Sequence, residues 1–180
     1  TKKKHKTGTD RIFEAYKKIS KKLSCEYIIN LQGDEPFIDP KDIINLNNSV
    51  ISKNSDIGTL GNKLTKIDFA NKNIVKVITE KNIIKEKTSR AKEFLRNSDH
   101  SKKNIFGHIG IYQFRTSILE KFVDLKQSKN EIKYKLEQLR ALENGINIDV
   151  VYSKNKSYGI DTVEDYVEIK KIMEYKIKKL

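Results

Sequence analysis

The stretch that most constrains this chain is Gln32-Gly33-Asp34-Glu35-Pro36, an acidic turn set directly after the apolar run Tyr27-Ile28-Ile29-Asn30-Leu31. A short run of β-branched and aromatic residues ending in Gly-Asp reads as a buried strand that stops and opens into a loop. In open α/β sheets ligands gather beyond the carboxyl ends of strands, so a carboxylate at that point stands where chemistry is usually done. Asp34 and Glu35 are hard oxygen donors, the type Mg²⁺ takes while it keeps waters and substrate phosphates. The same five residues also suit a plain solvated turn in which Gly and Asp supply geometry alone. The rest of the chain has to choose between the two.

Around the turn, helical and strand periods alternate, which is the pattern of an α/β domain. Before it, Thr9 is a candidate N-cap with Asp10 in the first turn, and Ile12, Tyr16, Ile19 and Leu23 form one apolar helical face. Thr7-Gly8-Thr9 also offers hydroxyls and free N–H groups to a ligand. After it, Asp39-Pro40 opens a helix whose buried face is Ile43, Leu46, Val50 and Ile51. Residues 56–60 and the alternating 73–79 read as strands. Ser89-Arg90-Ala91 reads as a surface loop in a charged stretch. Ile105 to Arg115 is the longest strand candidate, with His108, Gly110 and Tyr112 on one face and Ile109 and Ile111 on the other. A short helix follows at 117–123. A longer one spans Glu131 to Asn144 and is closed by Gly145. Residues 146–151 form a last strand. Thr162 and Asp165 cap a final helix, docked through Val163, Tyr166, Val167, Met173, Ile177 and Leu180.

Composition narrows the class. The formal charge is +13, which invites an anionic partner. Yet of 37 basic residues only Arg11, Arg90, Arg96, Arg115 and Arg140 are arginine, the type that base readout and phosphate clamping favour. Scattered lysine is therefore read as solvated surface rather than a nucleic-acid footprint. Cys25 is the single cysteine, so neither a disulfide framework nor a cysteine metal site is available. No run approaches the roughly 20 apolar residues of a membrane span, and a cytoplasmic location is expected.

Several of these segments resemble one family. Gln-Gly-Asp-Glu-Pro after a hydrophobic strand is similar to the metal-binding loop of the 3-deoxy-manno-octulosonate cytidylyltransferases (CMP-Kdo synthetases), sugar nucleotidyltransferases of Rossmann-like fold. His5 with Thr7-Gly8-Thr9-Asp10-Arg11 resembles the family's His-x-Ser/Thr-Gly-Thr-Asp/Glu-Arg segment near the nucleotide. The 73–78 strand resembles Pro-Asn-x-Val-Lys-Val-Val, with Lys72 in place of Pro. Ser89-Arg90-Ala91 resembles Phe-Ser-Arg-Ala/Ser, although the chain then departs from the family's Ile-Pro-x-x-Arg-Asp. His108 to Arg115 is similar to His-x-Gly-Ile/Leu-Tyr-x-Tyr/Phe-Arg, and Leu136 to Arg140 matches Leu-Glu-Gln-Leu-Arg. Gly159-Ile160-Asp161-Thr162-Val163-Glu164-Asp165 resembles the second metal loop.

The resemblance implies a three-layer α/β/α nucleotidyltransferase with a mostly parallel mixed sheet. The implied reaction moves CMP from CTP to the anomeric hydroxyl of Kdo, releasing pyrophosphate, for lipopolysaccharide biosynthesis. Asp34 and Asp161 are the implied catalytic residues and Mg²⁺ ligands. Gly8, Thr9 and Gln32 are implied at the nucleotide, and Arg90, His108, Tyr112, Glu137 and Gln138 at the sugar; the His108 residue itself reads either as a donor to a sugar hydroxyl or as a satisfied core group. CTP and Kdo are the implied partners of a homodimer, with no nucleic acid and no membrane. The family's first strand and phosphate loop precede the segment corresponding to Thr1. Residues 1–180 are thus expected to be the C-terminal part of a single-domain enzyme, poorly folded or inactive as a transferase alone. Three alternatives stay open: a cytidylyltransferase for another acidic sugar of the sialic acid type, an inactive fragment that binds CTP and Mg²⁺, and a Lys-rich nucleic-acid-binding protein.

Overall fold

The computed structural model describes residues 1–98, 101–156, 159–160 and 162–177. Strand β5 (Ile105–Arg115) organises it, with the bounds that its period-two pattern marks out. One edge of β5 carries β2 (Ile57–Asn62). Its other edge carries β1 (Tyr27–Leu31) beside Ile111 to Arg115 and β3 (Lys76–Thr79) beside Ile105 to Gly107. Beyond β2 lie β6 (Ile148–Tyr152) and β4 (Thr88–Leu95), and β4 pairs in turn with β3. The sheet is mixed, as expected, but not mostly parallel: among the described strands only the β2–β6 pairing is parallel, and the other five pairings are antiparallel. Three of those five pairings belong to β5, which is long enough to run antiparallel to β1, β2 and β3 at once, and the other two belong to β4.

Helices cover both faces. On one side α2 (Pro40–Lys53), capped by Asp39 with Pro40 at its start, seats Leu46 and Val50 against Leu60, Ile109, Ile111 and Val151. It lies directly on the backbone of Gly58, where a Cβ would stand 2.1 Å from Val50 Cγ2, so a side chain there is excluded. The second core gathers Ile57, Phe114, Leu119, Phe122, Leu139 and Ile148 on the opposite face. It packs beneath α1 (Gly8–Ile19), α5 (Thr116–Asp124) and α7 (Gln138–Glu143). Each large apolar side chain in these cores is worth about 2–5 kcal/mol against truncation to Ala.

Several elements depart from their sequence reading. Helix α1 is capped by Thr7, not Thr9: Thr7 and Asp10 form a reciprocal capping box, which leaves Thr9 inside the first turn and buried. The helix expected over 131–144 is two short ones, α6 (Lys129–Tyr134) and α7, because Lys135 adopts a left-handed φ of 54°. Ser89-Arg90-Ala91 belongs to β4 rather than to a loop. Short helices α3 (Lys66–Ala70) and α4 (Ile83–Glu86) complete the connections. The last helix, α8 (Val163–Ile177), is capped by Thr162 and Asp165 as expected, but it docks through Ile169. Val163, Tyr166, Val167 and Met173 are exposed, while the side chain of Ile177 and Leu180 lie outside the described residues.

Candidate active site

The acidic turn does close strand β1, and it is tied to two other parts of the chain. The N–H of Glu35 donates to the Gln32 carbonyl (3.2 Å), which tightens the turn. The Ile160 N–H donates to the carbonyl of Asp34 (2.8 Å), joining the turn to the segment before α8. The Glu35 side chain crosses to β5, where its Oε1 accepts from the Gly110 N–H (3.1 Å). A Cβ on Gly110 would stand 3.3 Å from that oxygen and 3.6 Å from Oε1 of Gln32. Glycine at 110 is what allows both side chains to close on the strand. Glu35, read from sequence as a hard donor, is thus occupied as a brace, while the Asp34 carboxylate is exposed.

His108, Gly110 and Tyr112 share one face of β5, and Glu137 and Gln138, two of the remaining sugar-side candidates, gather beside Tyr112. The His108 ring sits between Phe94, edge-on at 5.2 Å between centroids, and Tyr112 at 5.4 Å. Burial pushes its pKa down to about 3, so it is neutral near pH 7. Burial, with the nearby carboxylates of Glu137 and Glu35, pushes the Tyr112 phenol well above its ordinary range and keeps its hydroxyl protonated. Tyr112, Glu137, Gln138 and Thr9 line one narrow cleft. Thr9 and Gln138 are buried there in the first turns of α1 and α7, so helix starts present both.

Glu137 is a perturbed acid in the same cleft. Burial raises its pKa, against the hydroxyls of Thr7 and Thr9 and the charge of Arg140, and its Oε1 is buried without a hydrogen-bond partner. The linkage has a definite sign. Between the unfolded value of 4.5 and the higher folded value, the native state holds the extra proton, so stability falls as pH rises through that window. Glu137→Gln carries no charge to desolvate. It is expected to melt a few degrees above wild type at pH 8 and to converge with it below about pH 4.5. Equal melting differences across that range in a calorimetric pH series would refute the account.

Not every candidate joins this group. Arg90 is exposed on β4, and its register runs from Asp149 to Gly58 to Gln113. Directly paired residues share a face, so Arg90 stands on the α2 side of the sheet while Tyr112 stands on the other. Gly8 is exposed at the start of α1. Asp161 lies outside the described residues. Among the described residues no group of three or more His, Cys, Asp or Glu side chains could hold a metal ion. What they provide is one exposed carboxylate at a strand end, which fits a Mg²⁺ that keeps waters and substrate oxygens but not a closed protein cage. Missed from sequence were the brace by Glu35, the cap by Thr7 and the contact of Thr59 with His108. The Glu35 brace had a signal in the motif itself.

A two-faced α/β sheet whose strand-end acidic turn is closed onto a polar stripe of the neighbouring strand is the architecture of a nucleotidyltransferase. Residues 1–150 match the family model described as cytidylyltransferase. The chain is 39% identical over 171 residues to the 3-deoxy-manno-octulosonate cytidylyltransferase of Bartonella tribocorum, covering 94% of this chain and 70% of the relative. It is 43% identical over 177 residues to that of Thermodesulfovibrio yellowstonii, covering 92% and 69%. Among solved structures, the CMP:2-keto-3-deoxy-manno-octonic acid synthetase complexed with CTP superposes with a TM-score of 0.84 at 28% identity, covering 98% of this chain and 71% of that one. An apo UDP-glucose pyrophosphorylase, at a TM-score of 0.68 and 17% identity, shares the fold. The chain belongs to the 3-deoxy-manno-octulosonate cytidylyltransferase family.

Proposed function

We propose that this chain carries the site that transfers CMP from CTP to the anomeric hydroxyl of 3-deoxy-manno-octulosonate, releasing pyrophosphate. The observation that carries the reading is the closure of the Asp34 turn, through Glu35, onto Gly110 of β5, the strand that also bears His108 and Tyr112. Family membership and the likeness to a CTP-complexed synthetase support it. The sugar hydroxyl attacks the α-phosphorus in line, so the protein's work is alignment and neutralisation of charge rather than covalent chemistry. Gly8, Thr9 and Gln32 hold the nucleotide. Tyr112, Gln138 and Glu137 bind sugar hydroxyls; Oε1 of Glu137 accepts no hydrogen bond among the described residues and lies 3.9 Å from the Arg140 guanidinium. Asp34, together with Asp161, would hold Mg²⁺, and the Ile160 bond to the Asp34 carbonyl supports that pairing. Such an ion would supply a lowered pKa at the attacking hydroxyl and countercharge at the α-phosphate.

The test is direct. With CTP, Mg²⁺ and a panel of acidic sugars, any pyrophosphate release is expected to depend on Kdo and not to be supported by sialic acid. Turnover of sialic acid at an equal rate would reassign the sugar. Binding of CTP without release under any sugar would leave a nucleotide-binding fragment.

A further inference from the structure

Thr59 is fully buried on β2, at the bulge where that strand's register with β5 jumps between Thr59–Tyr112 and Leu60–Ile109. Its hydroxyl has three neighbours: the carbonyl of Ile111 at 2.7 Å, the carbonyl of Ile109 at 3.3 Å, and Nε2 of His108 at 2.9 Å. A carbonyl oxygen brings no hydrogen, and two oxygens settle at 2.7 Å only with a hydrogen between them. The single hydroxyl hydrogen of Thr59 therefore belongs to Ile111. With that hydrogen committed, and the longer Ile109 contact at most sharing it, the 2.9 Å contact works only if Nε2 of His108 carries a hydrogen and donates it to Thr59. In a neutral imidazole one nitrogen is protonated and the other bare, so fixing Nε2–H leaves Nδ1 as a lone-pair acceptor.

We propose that Thr59 is a positioning residue for the sugar site. It locks His108 in the Nε2–H tautomer, so that His108 meets a substrate hydroxyl as a hydrogen-bond acceptor rather than as a donor. This rests on the functional reading above only for the identity of the ligand. It also reverses the donor role that the sequence suggests for His108. A side chain on the flexible rim of a cleft would adopt either tautomer to suit its ligand. Here a fully buried hydroxyl chooses in advance, much as an outer carbonyl or carboxylate fixes the tautomer of a metal-bound histidine. The preference follows: a ligand presenting a hydroxyl at this position is retained, and an O-methyl ether or a ketone there is rejected, because neither can donate.

The experiment uses the 180-residue chain labelled with ¹⁵N at histidine. Long-range nitrogen–proton correlation spectra report which ring nitrogen bears the proton, and titration with Kdo in the presence of CTP and Mg²⁺ reports affinity. Wild type and Thr59→Ser are expected to show Nε2–H for His108 and equal affinities. Thr59→Val is expected to lose the fixed tautomer and to bind Kdo about five- to tenfold more weakly, one neutral hydrogen bond's share, with CTP affinity unchanged. Nδ1–H in the wild type would overturn the proposal whatever the sugar does. So would a Thr59→Val protein that loses the tautomer but keeps its Kdo affinity, or Thr59→Ser failing to restore it. Nε2–H in a wild type that binds no Kdo would overturn the acceptor role and the functional reading while leaving the tautomer assignment standing.

Discussion

Asp34→Asn is expected to weaken Mg²⁺-dependent CTP binding, and any CMP transfer, by about a hundredfold or more, with the fold intact. Outer partners that merely orient a metal ligand already cost about 10- to 100-fold when removed, and a direct ligand stands above that range. Asparagine keeps the size of the side chain and one oxygen but removes the charge that makes a carboxylate a strong Mg²⁺ ligand. Little else should change. The Asp34 side chain is exposed, and the bond that joins its turn to the segment before α8 uses its main-chain carbonyl. Glu35→Gln is the informative neighbour. An amide oxygen still accepts from the Gly110 N–H, so this variant should lose no more than a few-fold, whereas a direct metal role for Glu35 would give a loss like that at Asp34. Calorimetric titration of CTP at several Mg²⁺ concentrations separates the cases. An Asp34→Asn protein that keeps wild-type Mg²⁺ dependence would remove the turn from the chemistry. It would also restore the alternative of a lysine-rich nucleic-acid binder, which predicts indifference to this residue and binding that weakens steeply with salt.

Legibility along the chain followed the range of the interactions involved. Strand β5 was read with its true ends because alternation is written in adjacent residues, and the same local logic gave the Asp39-Pro40 cap and the Thr162–Asp165 cap. The break between α6 and α7 was not legible. Lysine at 135 carries none of the signal that Gly or Asn gives for a left-handed residue. Strand direction and facing were also beyond reach, since they depend on which distant segment pairs with which. Arg90 looked like a pocket residue in one dimension and stands on the α2 face in three, set by registers with β6 and β2. Helix α8 shows the same limit: its sequence has more apolar residues than one face can bury, and packing chose Ile169. Gln32, Asp34, His108, Tyr112, Glu137 and Gln138 each carry a short local motif, whereas Thr59, whose contacts exist only across a bulge, carries none.

Breaking the Arg140–Glu131 pair is expected to have the largest effect on stability. Both side chains are almost wholly buried, with Arg140 donating through Nε (2.8 Å) and Nη2 (2.5 Å) to the two oxygens of Glu131. The Arg140 guanidinium also lies 4.5 Å from the centre of the Phe122 ring. Glu131 additionally closes the capping box of α6 with Ser128, so this one carboxylate holds the helix start and the cation together. Removing one partner strands the other charge in the core, at about 3–5 kcal/mol, or roughly 10 °C in melting temperature for a domain of this size. Arg140→Met should show that loss by urea denaturation. Pairing it with Glu131→Gln should cost clearly less than the two single losses added together, because the stranded charge is gone. Acid supplies a second arm. Burial works to raise the Glu131 pKa, but the bonds from Arg140 and Gln127 outweigh it and hold it below 4.5. Its contribution is thus present above pH 4.5 and is lost as pH falls through the folded value, a decline that Glu131→Gln should lack. The pair also reaches the site, since Arg140 lies 3.9 Å from Glu137 and opposes the rise in that carboxyl's pKa. Arg140→Met should therefore push Glu137 further up, and adding Glu137→Gln should recover part of the lost stability at pH 8. Fully additive single and double variants would show that the three residues do not act as one network.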